Sequence, residues 1–212
     1  DEVLVSAGTL GPDSGLFVVE RRRMLRLKGV PTPIVGLSVV ARAAAENRFD
    51  ARAKRGLSPF VGRAELLHTL ATEIDLASAG QARALALLGT AGMGKTRLAN
   101  HFLDRCQASG IMVVRGYCES YLGAEPLQPF QQMLRALTPS LPGASGEAAA
   151  SHAREQLAQH APDWHPPATF LPHALSLNLA DTGLREPLPP LSMRQGFVTL
   201  FAEMARRRPL VM

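Results

Sequence analysis

The chain has 212 residues, 46% of them hydrophobic and 19% charged, with a net charge of +5 and only two cysteines, Cys106 and Cys118. This size allows a buried core. Two cysteines exclude a disulfide framework and fit a reducing, cytoplasmic setting. No run nears the roughly 18 apolar residues that a membrane helix needs, so no membrane partner is expected. The start, Asp1-Glu2-Val3-Leu4, lacks the basic region of a signal peptide and reads as the interior of something longer. The basic balance does not point to nucleic acid, because the arginine runs at 21–23 and 206–208 have no interleaved aromatics.

Residues 1–40 read as strands and turns. Val3, Leu4 and Val5 form a short apolar strand, and a turn-rich stretch covers 8–15. Strands follow at 16–19, at 24–29 with alternating apolar and basic residues, and at 34–40 after the prolines Pro31 and Pro33. Such a set cannot bury an independent core. Residues 41–55 are rich in alanine and charge and read as an exposed linker helix, closed by Gly56. A turn at 57–63 leads to a helix at 64–79, with Leu66, Leu67, Leu70, Ile74 and Leu76 near helical spacing.

Residues 82–88 are apolar except for Arg83 and read as a buried parallel strand. A glycine-rich loop, a helix at 97–108 with Leu98, Phe102 and Leu103 on one face, and a strand at 111–118 complete a βαβ unit. A helix is expected at 126–137. Prolines punctuate 138–191, where a short helix at 147–160 and helical turns after Trp164 are expected. A helix at 192–207, capped by Ser192, presents Phe197, Leu200, Phe201 and Met204 on one side, and a strand begins at 209.

The loop carries the chemistry. Gly89, Thr90, Ala91, Gly92, Met93, Gly94, Lys95 and Thr96 fit G-x-x-x-x-G-K-[ST] at every fixed position. A polyphosphate is gathered by backbone N–H groups, and glycines permit the backbone angles this requires. The following helix turns the positive end of its dipole toward the anion. Lys95 is expected to reach the β- and γ-phosphates of a nucleoside triphosphate, and Thr96 to ligate Mg²⁺. Hydrolysis needs a strand-end carboxylate as well. Glu119 is the nearest one, and it reads as a loop residue. No catalytic residue is therefore assigned.

Phe60, Val61, Gly62 and Arg63 resemble the F-V-G-R box of AAA-type and STAND signalling ATPases. That resemblance implies an α/β P-loop NTPase fold over 58–212, ATP and Mg²⁺ as cofactors, and adenine and sugar contacts at Val61, Gly62 and Arg63. Met24, Leu25, Arg26, Leu27, Lys28, Gly29 and Val30, followed by Pro31 and Pro33, resemble the closing strands of class III adenylate/guanylate cyclase domains. Gly36 and Leu37 depart from that pattern, which carries an aromatic there. The resemblance implies a cyclase tail at 1–41, a linker helix at 42–57, and a homodimer made through the cyclase domain. It would carry a triphosphate contact to Lys28; a solvated lysine on an edge strand explains that residue equally well.

The whole then resembles a bacterial cyclase–ATPase fusion cut before the acidic residue of the ATPase, with the rest of the parent chain as partner. Such a piece is expected to run neither reaction alone. The alternative is the ATPase part of a large LuxR-type transcriptional regulator. Cys106 and Cys118 read as packing residues, and His152, His160, His165 and His173 as surface residues without zinc spacing. Trp164 reads as a small packing anchor. Arg135 and Arg185 carry no distinguishing signal.

Overall fold

The computed structural model describes residues 3–11, 17–42, 53, 56–118, 126–139, 146–177 and 188–212. The chain divides into two compact units, Asp1–Gly62 and Arg63–Met212.

The first unit is a three-stranded antiparallel sheet in the order β1 (Val3–Ser6), β3 (Ile34–Arg42), β2 (Phe17–Leu25). The central strand is the one whose Gly36, Leu37 and Ser38 are buried. Gly36 has a packing reason: a Cβ there would stand 2.5 Å from Leu25 Cδ1. The expected strands at 16–19 and 24–29 are one strand, irregular in register between Val18 and Arg21. It ends at Leu25, so Lys28 lies in the turn before Val30 and not on a strand. The turn expected from residue 8 opens as a short helix, α1 (Ala7–Leu10), because Ser6 Oγ accepts the Thr9 N–H at 3.1 Å. The linker helix at 42–57 falls almost wholly outside the described residues; residues 41 and 42 belong to β3, so a helix does not begin there. Met24 at 67% exposure and Val3 at 59% show how little apolar surface this sheet buries by itself.

The second unit opens with α2 (Ala64–Ser78) and α3 (Lys95–Ala108), which touch each other. Along α2 only Leu70 is fully buried. On α3 the buried residues are Leu98, Asn100 and Cys106, with Phe102 and Leu103 half-buried. A two-stranded parallel sheet joins β4 (Met112–Val113) to β5 (Leu210–Val211). The helices α4 (Gln128–Leu137), α5 (Gly146–Ala158), α6 (Phe170–Ala174) and α7 (Pro190–Arg207) enclose the main core. The apolar spacing of α7 is realised: Phe197, Leu200, Phe201 and Met204 are all buried. Its N-cap, however, is Pro189, whose fixed φ suits the entry; Ser192 lies one turn inside. Trp164 is more than a small anchor. Its ring meets Phe170 edge-on at 5.4 Å, and Nε1–H donates to Thr199 Oγ1 at 3.1 Å.

Two strand expectations are corrected. Residues 82–88 form no strand. A strand exists only through a partner's ladder, and a cavity of about 310 Å³ opens where Leu85 and Leu87 face Leu210 and Val211. The strand expected at 111–118 is two residues long. Beyond Val114, whose N–H donates to Val211 O at 2.9 Å, the chain turns onto α4. There the Tyr117 N–H donates to Gln132 Oε1 at 2.7 Å. The expected βαβ unit is therefore not formed, since its first strand is missing; the parallel pair is β4 with β5.

Candidate phosphate-binding site

The loop between residue 88 and α3 is exposed. Gly92 and Gly94 both hold φ near +81°, and Gly89 holds +156°. Those angles suit glycine and strain other residues. Gly94 is the N-cap of α3 and supplies no side-chain acceptor, and the first turn carries no acidic residue. The N–H groups that every helix start leaves without intrahelical partners are therefore not neutralised from within. Together with the dipole they form an anion-attracting end.

Lys95, the first residue of α3, reaches back across the loop. Its Nζ donates to Gly89 O at 2.8 Å and to Thr90 O at 3.0 Å. The ammonium thus stands over the start of the loop. The exposed Thr96 follows it in the first helical turn. Thr90, Ala91 and Met93 complete the arc, and each is exposed. A cavity of about 350 Å³ runs along this end of α3, lined by Lys95, Thr96, Asn100, Arg115 and Tyr117 among others.

Two contacts of the loop and its helix escape a motif reading. The buried Asn100 donates from Nδ2 to Thr96 O at 2.9 Å and so ties the first turn of α3. Its position four residues after Thr96 is the available signal. Arg63, assigned by resemblance to adenine and sugar, has its guanidinium Nη2 donating to the carbonyl of Met93 inside the loop. Val61 is 81% exposed, and Gly62 holds φ +76°. Glu119 and Arg185 lie outside the described residues.

The family model described as AAA ATPase domain matches residues 59–212. The chain belongs to the AAA ATPase domain family. No curated protein and no solved structure matches it. The AAA domain thus spans all of the second unit and the glycine-rich loop, and membership supports a nucleotide as its ligand.

The remaining polar residues sit elsewhere in the AAA domain. Arg135 donates to Ser176 Oγ at 3.2 Å. His173 is half-buried and not a surface residue: Nε2 accepts the Leu188 N–H at 3.1 Å, which leaves Nδ1 to donate to Thr169 O at 2.7 Å. Cys106 is buried and Cys118 exposed, both as free thiols. Among the described residues no helix is long and apolar enough to cross a membrane.

Proposed function

We propose that the AAA domain binds Mg²⁺-ATP at residues 89–96 and serves as a regulatory switch within a multidomain signalling protein. The observation that carries the reading is the loop: glycines at positive φ, Lys95 held across it, and a helix start with no acid to oppose an anion. These residues fit a triphosphate. Lys95 exchanges two carbonyl acceptors for charged phosphate oxygens, a stronger pairing. Thr96 offers its hydroxyl to Mg²⁺. Phosphate oxygens and water are ligands that Mg²⁺ ordinarily keeps beside such a hydroxyl.

Nucleoside recognition by Val61 and Gly62 rests on the F-V-G-R box. Descent of the first unit from a cyclase tail rests on the L-K-G-V run, with its antiparallel strands in keeping. The purified chain is then expected to make no cyclic nucleotide from ATP.

The test is equilibrium binding of Mg²⁺-ATP to the wild type and to Lys95→Ala. Losing the ammonium is expected to weaken binding on the order of 100-fold, with the thermal transition nearly unchanged because the side chain spans an exposed loop. Equal affinity in the two proteins refutes the site. For the switch, limited proteolysis should differ between ATP, ADP and no nucleotide; identical patterns would remove that part.

A further inference from the structure

Carbonyls at both ends of the phosphate loop are held by cations of opposite provenance. At the start, Lys95 Nζ holds Gly89 O and Thr90 O. At the end, Arg63 Nη2 holds Met93 O. Lys95 belongs to the loop and helix that would meet the anion. Arg63 belongs to the start of another helix, where it is the N-cap of α2 in the left-handed region at φ 58°. Its own carbonyl accepts the Leu67 N–H at 3.1 Å, which fastens it to that helix.

The Met93 carbonyl shares a peptide unit with the Gly94 N–H. The unit is planar and trans, since no described peptide bond is cis, so the carbonyl and the N–H point in opposite directions. Whatever holds the carbonyl also aims the N–H. The aim needs holding, because the unit turns about Met93 ψ and Gly94 φ, and a glycine φ is weakly restrained. Arg63 lies beside residue 94: a Cβ there would meet Nη2 at an ordinary contact distance of 3.8 Å.

We propose that Arg63 is a positioning residue for phosphate binding: from α2 it pins the Met93 carbonyl and so presets the Gly94 N–H as a phosphate donor. This rests on the loop being the phosphate site. It differs from the adenine-and-sugar role implied by resemblance, because the anchor acts on the polyphosphate and is indifferent to the nucleoside. Binding the anion releases Lys95 from its carbonyls and leaves the Arg63 bond in place, so one end of the loop stays ordered throughout.

The distinguishing probe is inorganic tripolyphosphate with Mg²⁺, titrated beside Mg²⁺-ATP. The variants are Arg63→Ala and Arg63→Met; the second keeps the aliphatic stem and removes only the donors. Both should lose about tenfold in affinity for tripolyphosphate and for ATP alike. The loss should persist at about 0.5 M salt, where attraction by an exposed charge is screened. In ¹⁵N-labelled protein the Gly94 amide resonance should move in Arg63→Met. Weakened ATP binding with unchanged tripolyphosphate binding would return Arg63 to the nucleoside and overturn the proposal. So would a loss that vanishes in salt, or an unmoved Gly94 amide. A wild type that binds neither ligand would refute the phosphate site itself, separately from anything Arg63 does.

Discussion

Gly196 stands in the middle of α7, a helix position where alanine is ordinarily better by up to about 1 kcal/mol. The structure predicts the reverse. A Cβ at residue 196 would lie 2.1 Å from Phe170 Cε2 and 2.3 Å from Cδ2, whereas ordinary contact starts near 3.4 Å. The ring would have to retreat by roughly 1 Å in an interior packed like a crystal. It has nowhere to go: Phe170 is fully buried, edge-on to Trp164 at 5.4 Å and to Phe197 at 5.2 Å. Overpacking of this kind costs about 1–3 kcal/mol. With the clash this close we expect Gly196→Ala to be destabilised by a net ~2 kcal/mol after the propensity gain. In a chain of this size that lowers Tm by about 4–8 °C. Trp164 is the single tryptophan and abuts the displaced ring, so urea unfolding followed by its fluorescence reads the effect directly. A variant as stable as the wild type, or more stable, would show that helix propensity governs this position and that the α6–α7 contact is loose.

Burial and the neighbouring Arg208 guanidinium hold His160 below its usual 6.5, and Nδ1 accepts from Arg208 Nη2 at 2.8 Å in the neutral ring. The folded state therefore binds this proton less readily than the unfolded chain. The contribution is complete above about pH 6.5 and is lost as pH falls from there through the folded-state value. Tm measured between about pH 5 and 7.5 should fall less steeply in His160→Gln than in the wild type; parallel slopes would refute the assignment. Burial pushes the Cys106 thiol up, while Cys118 is exposed. A disulfide reagent should titrate one thiol in the native protein and two in urea; fast native reaction of both would contradict the burial.

The contrast between the loop and its surroundings shows where sequence reading stops. The run from Gly89 to Thr96 was legible because its chemistry is local: glycine permits the angles, and Lys95 reaches carbonyls only five and six residues back along the chain. The helices α3 and α7 were legible because apolar spacing within one segment reports one buried face. Residues 82–88 were misread for the opposite reason. Their apolar composition suits a strand, yet strand formation depends on a partner that composition does not name, and pairing went to β4 and β5. Lys28 moved from strand to turn because β2 ends when its register with Ile34 ends.

Sequence by itself determined the glycine-rich loop at 89–96, the box at Phe60 to Arg63, and the apolar face of α7. Each of these is encoded within a few residues of chain. Tertiary structure alone decided that Arg63 bonds Met93 across 30 residues, that Trp164 reaches Thr199 across 35, and that the core gathers around Phe170 and Phe197. Such contacts are set by how helices come to rest on one another, and no spacing along the chain carries that distance.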